Sequence, residues 1–157
     1  MSNGRKIKNK LAFTLIELLV VIGIISMLTT VVFVSVDPAK RFADARNARR
    51  LTDTRTVLEA IQQFVVDSNG SLPAGIGNSW YQIGTCTTGG MNLCVGATTR
   101  CIDIGATLGS HKYIKSNPMD PQRGTAATTG YAVTKDANNV FTVSACLAEG
   151  TTITVSR

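Results

Sequence analysis

Ala12-Phe13-Thr14-Leu15-Ile16-Glu17-Leu18-Leu19-Val20-Val21-Ile22-Gly23-Ile24-Ile25 opens the apolar run on which the reading of the whole chain turns. Residues 18–36 hold no charged side chain. At ~1.5 Å per residue they reach about 29 Å, close to the hydrocarbon core of a bilayer. No face of such a helix is polar enough to meet water. A 157-residue chain rarely has core enough to cover it on every side. The run therefore predicts a membrane-inserted helix. Glu17 stands at its edge, and a carboxylate costs roughly 2.5–3.5 kcal/mol at the centre of a membrane helix and less near an end. Such a group snorkels to the interface or finds a positive partner, and nothing local supplies that partner.

Outward from the run toward the N-terminus, residues 1–12 carry Arg5, Lys6, Lys8 and Lys10 and no acid. A secretory signal peptide also begins with positive charge. Here the apolar run is longer than an ordinary signal core, and Ser35-Val36-Asp37 leads into a charged stretch rather than a cleavage site, so a retained anchor is expected. Lys8-Asn9-Lys10-Leu11-Ala12 followed by Phe13-Thr14-Leu15-Ile16-Glu17 resembles the leader and mature start of type IV pilins and pseudopilins. The resemblance implies cleavage by a prepilin peptidase between Ala12 and Phe13, and N-methylation of Phe13. It also implies an assembly role for Glu17, the fifth mature residue, in neutralising the terminal amine of a neighbouring subunit. Ala12 stands where the family usually has Gly, and Val34 where many members carry Pro.

The net charge of +6 suggests a nucleic-acid partner until it is divided along the chain. The leader's basic residues account for four of those charges, and beyond residue 55 six basic residues balance six acids. What remains is a zone at 40–55, where Lys40, Arg41, Arg46, Arg49, Arg50 and Arg55 face only Asp44 and Asp53. The two acids interrupt it, and Phe42 is its only aromatic residue. It reads as a solvated helix face near anionic lipid headgroups or neighbouring subunits rather than as a phosphate-binding stripe. Nucleic acid is not indicated as a partner.

Positive charge flanks both ends of the anchor, so the positive-inside rule barely chooses an orientation. Cysteines decide it. Cys86, Cys94, Cys101 and Cys146 form an even set without a CxxC pair or clustered histidines, unlike a zinc or thioredoxin-like site. Disulfides in an oxidising compartment fit, which places the C-terminal region outside the cytoplasm. Four cysteines allow three pairings, and spacing does not choose among them. The pairing taken as the expectation is Cys86–Cys94 with Cys101–Cys146.

Past the membrane run the pattern stays helical to about residue 67, with Ala48, Leu51, Leu58, Ile61 and Val65 on one stripe and arginines on other faces. Asp37-Pro38 suits an N-cap and first turn, and Ser68-Asn69-Gly70-Ser71 signals the stop. Residues 71–100 read as a surface loop. Residues 101–114 read as a short helix or turn, and Asn117-Pro118-Met119-Asp120-Pro121 as an extended turn. Strands are expected at 130–135, 139–147 and 151–156, in an antiparallel meander. The predicted class is α+β: a long N-terminal helix, half membrane-bound and half amphipathic, packed on a small C-terminal antiparallel sheet. That order also resembles pilins. The expected segments are a leader at 1–12, a membrane or filament-core helix at 13–36, an amphipathic continuation at 37–67, and a stapled region at 68–157.

No catalytic set, cofactor motif or metal cluster emerges. His111 is the only histidine and sits in a polar turn. Gly75-Ile76-Gly77 lacks the third glycine of a phosphate loop. Asn69-Gly70-Ser71 matches a glycosylation acceptor, a common chance match. Asp103, Asp120 and Asp136 lack the spacing of a calcium loop and read as turn formers. The resemblance implies a structural, non-enzymatic subunit, held in the inner membrane as a precursor and then assembled into an extracytoplasmic filament. Its partners would be related subunits, prepilin peptidase, the inner-membrane assembly platform and membrane lipid. Adhesion, motility, secretion and DNA uptake all remain open. The alternative is a membrane-anchored extracytoplasmic binding module that never polymerises.

Overall fold

The computed structural model describes residues 13–35, 37–85, 94 and 100–157. The expected leader, Ala12 and Cys86 lie outside the described residues. The chain divides into two compact units, the first ending at Arg41 and the second spanning Phe42–Arg157.

In the first unit, helix α1 runs Leu15–Ser35 and buries none of its residues. Its 21 residues pass the length and composition of a membrane span. The few polar side chains inside it are satisfied locally. Ser26, Thr29 and Thr30 donate their hydroxyls to carbonyls one turn back, at 2.7, 2.8 and 2.9 Å. In a medium without water those bonds keep the hydroxyls from standing unpaired.

Helix α2 runs Pro38–Asp67. It starts as the sequence predicts, with the Lys40 amide donating to Asp37 Oδ1 at 3.3 Å. It also stops where predicted. Asn69 and Gly70 take positive φ, and the Gly70 amide returns to the Val65 carbonyl at 2.8 Å, closing the last turn. Its buried face is Arg50, Thr54, Val57, Leu58, Ala60 and Ile61.

The rest of the second unit is a five-stranded sheet in the order β2-β1-β3-β4-β5. The strands are β1 Tyr81–Ile83, β2 Cys101–Ile102, β3 Tyr131–Lys135, β4 Phe141–Ala145 and β5 Ile153–Ser156, with the short helix α3 at Ile104–Thr107. The three late strands form the antiparallel meander the sequence predicts. The early pair corrects it. β1 lies inside the stretch read as loop, pairs antiparallel with β3 and parallel with β2, and makes the sheet mixed. Three residues are too few to show an alternation, so β1 is a strand only because β3 offers it an edge.

Along β4, Phe141, Val143 and Ala145 are buried while Thr142 and Ser144 turn the other way. The inner residues join Tyr131, Val133, Ile83, Ile104 and Leu108 in one core with Val57, Leu58 and Ile61 of α2. Fully burying side chains of this kind contributes roughly 1.5–3 kcal/mol each. A smaller apolar cluster of Trp80, Cys94, Ala132 and Cys146 forms apart from that core.

Candidate processing and assembly site

The N-terminal segment begins with a capping arrangement. Thr14 Oγ1 accepts the Glu17 amide at 3.3 Å, while Glu17 Oε2 accepts the Thr14 amide and hydroxyl, each at 2.8 Å. Thr-x-x-Glu is the reciprocal capping box that satisfies donors otherwise orphaned at a helix start. Thr14-Leu15-Ile16-Glu17 therefore specifies where α1 begins, a signal that the resemblance-based reading of Glu17 left unused. Phe13 stands just outside the first turn and is 86% exposed. Phe13, Ile16, Glu17, Val20 and Val21 line one shallow groove on α1. A carboxylate is thus held one turn from Phe13, on a helix with no buried side.

The basic zone at 40–55 departs from the expected solvated face at two positions. Arg50 is fully buried and takes Asp120 in a two-point grip, Nε to Oδ2 at 2.6 Å and Nη2 to Oδ1 at 3.3 Å. Its Nη1 donates to Glu149 Oε1 and to Asn47 Oδ1, both at 2.9 Å. Arg46 grips Glu149 from the other side, at 2.6 and 2.5 Å. Asn47 closes the set by donating to the Glu149 carbonyl at 2.8 Å and accepting the Glu149 amide at 3.1 Å. α2 is thereby tied to the Asp120 turn and to the β4–β5 connection.

The acids respond to this setting. Burial pushes the Asp120 carboxyl up, but Arg50 and the Gln122 and Arg123 amides outweigh it and hold the group below its usual range. Arg46 and Arg50 hold Glu149 down at about 2. The turn around Asp120 is backbone-tight. A Cβ on Gly124 would come within 2.3 Å of the Asp120 nitrogen, and Gly130, at φ +84°, lies against the Asp120 side chain. One further, part-buried contact joins helix and sheet, the Tyr131 hydroxyl donating to Asp53 at 2.7 Å.

Arg50 could have been found in the sequence, because 50, 54, 57 and 61 share one helical face. Its charge masks the pattern. Asp120 and Glu149 carried no such signal, since their partners lie 70 and 99 residues away.

The remaining candidates sort simply. Asp103 caps α3 through the Ala106 amide, and Asp136 closes the β3–β4 turn by accepting from Asn138 and Val140. Both are turn formers, as read. His111 is exposed. The expected cysteine pairing is overturned: Cys94 is bonded to Cys146, with 4.9 Å between Cα atoms. Cys101 is disulfide-bonded too, but not to Cys146. The reason is the sheet. Cys146 continues the outward side of β4, next to Ala132 and Trp80, and Cys94 packs there with them.

Residues 7–33 match the family described as the prokaryotic N-terminal methylation motif. The chain carries the type IV pilin and pseudopilin signature. The matched span covers Lys8, Lys10, the Ala12–Phe13 junction, Glu17 and most of α1. No curated protein and no solved structure matches the chain. The signature supports a pilin-like or pseudopilin precursor, and α1 fits a single-pass membrane anchor. The mixed α+β architecture is pilin-like as well.

Proposed function

We propose that this chain is a structural subunit that prepilin peptidase cuts between Ala12 and Phe13 and that then joins an extracytoplasmic filament. The carrying observation is the methylation motif in register with a capped helix that buries none of its side chains. A helix apolar on all sides is stable in lipid or among copies of itself, and both environments occur in such a life cycle. Residues 1–12 act as the leader and 13–36 as the membrane and filament-core helix, while the second unit faces the periplasm or exterior. There its disulfides meet an oxidising environment. Glu17 serves as the assembly carboxylate, paired with the Phe13 amine of a neighbouring subunit. The amine and carboxylate would neutralise one another where water is scarce, and misregister would leave each unpaired.

Mass spectrometry of the N-terminus in membrane and sheared-filament fractions tests this reading. The expected species starts at methylated Phe13. Intact Met1, or a terminus beyond position 36, overturns the proposal and returns weight to a plain anchor or an exported protein.

A further inference from the structure

The sheet face turned away from α2 carries a concavity of about 470 Å³ that the filament reading does not use. Its apolar wall is the Trp80 indole and the Cys94–Cys146 disulfide, and Ala132 lies at its floor. Among the described residues, its polar side chains are the hydroxyls of Ser144, Thr151, Thr152 and Thr154. On the same face Thr142 and Ser156 satisfy each other at 2.9 Å, whereas the Ser144 and Thr154 hydroxyls take no partner among the described residues. Among the described residues, no charged side chain lines the concavity.

A buried polar side chain that does not itself line the concavity lies near it. Gln82 stands opposite Ala132 in the β1–β3 register, and directly opposed residues share a face. Its side chain is fully buried, and neither amide atom has a hydrogen-bond partner among the described residues. Its amide donor and acceptor stand unsatisfied beneath the face, next to Ala132 and outside the lining of the concavity. That is an uncommon state for buried polar atoms in folded proteins.

We propose that this concavity binds neutral saccharides. Its size falls within the ordinary range for small-ligand sites, which pair an apolar wall with a few placed polar groups. A sugar ring offers both halves, a C–H face for the indole and hydroxyls that donate and accept. An aliphatic ligand would leave the serine and threonine hydroxyls unpaired in a dry site. An ionic ligand would find no countercharge among the described residues. The inference stands independently of filament assembly.

Trp80 is the only tryptophan, so its emission reports on the site directly. The full chain in lauryldimethylamine oxide micelles, whose headgroup is not a sugar, is titrated with lactose, maltose and chitobiose. At least one is expected to give a saturable change in emission. Ser144→Val with Thr154→Val is expected to raise its Kd roughly tenfold, with no loss of melting temperature. Trp80→Phe, followed by saturation-transfer NMR on the sugar, tests the stacking wall separately and should also weaken binding. The proposal is overturned if none of the three saccharides saturates or if a folded double variant binds as tightly as the parent. It is equally overturned if a neutral Ala-Thr tetrapeptide gives the saturable change and no sugar does.

Discussion

Arg50 places a guanidinium where none of its side chain meets water, and three acceptor side chains surround it. Removing one partner from a buried pair typically costs about 3–5 kcal/mol, because the other charge stays behind unpaired. Arg50→Leu is expected to lower unfolding stability by about that much in denaturant titrations followed by Trp80 emission. Replacing Asp120 by Leu in the same chain should recover part of the loss. The acids also make a pH prediction. Glu149 ordinarily titrates near 4.5 and in the fold at about 2. The folded state binds its proton less readily, so its stabilisation is complete above the ordinary value and is lost as pH falls from 4.5 toward 2. Asp120, also held low, adds to the same slope. Melting temperature should fall as pH drops from about 6 to about 3, and Glu149→Gln should flatten the fall while lowering the value at neutral pH. An unchanged slope in Glu149→Gln would place the acid sensitivity elsewhere.

Among the elements, the two helices are legible to different degrees. α1 is declared by composition and stopped by nothing more than the change to charged sequence. α2 is declared by its 3.6-residue period, its Asp-Pro start and its Asn-Gly end. Strands β4 and β5 show a two-residue period, while β3 buries Tyr131, Ala132 and Val133 in succession. β1 and β2 show no such period, and each is held by pairing with a neighbour rather than by its own pattern. The Cys94–Cys146 bond belongs at this scale because it spans 52 residues and ties position 94 to the end of β4. For a loop of that length the chain-entropy model gives about 4 kcal/mol. Cys94→Ser with Cys146→Ser is therefore expected to destabilise the second unit by up to about 4 kcal/mol. Nonreducing peptide mapping should recover peptides 94 and 146 linked. Recovery of Cys101 linked to Cys146 would reject the observed sheet arrangement.

For the whole molecule, the capping box sets a condition on the proposed assembly. Glu17 accepts two bonds from Thr14 within its own chain. If it also receives the amine of a neighbouring Phe13, the carboxylate must share or exchange those bonds, which a carboxylate with several lone pairs can do. Glu17→Ala loses both the cap and the charge, whereas Glu17→Gln keeps a side-chain acceptor for the cap and loses only the charge. Both variants are expected to be cleaved and retained in the membrane but to yield few filaments in sheared fractions. Thr14→Val weakens the helix start by about 1 kcal/mol and should still polymerise. Abundant filaments from Glu17→Gln would remove the assembly role from the carboxylate.

Sequence alone determined the features that rest on local physics: the apolar helix, the amphipathic helix with its start and stop, the three late strands and the methylation signature at residues 7–33. Each is a repeating pattern or a short motif whose meaning survives without neighbours. Tertiary structure decided the rest, and in each case the partner is distant in sequence. Arg50 reads as one more solvated cation until Asp120 and Glu149 arrive from 70 and 99 residues away. Tyr81–Ile83 is a loop until β3 lends it an edge. The cysteine pairing follows which side of the sheet Cys146 leaves β4, because a disulfide demands that two Cα atoms come within about 7 Å and chain spacing cannot say which do.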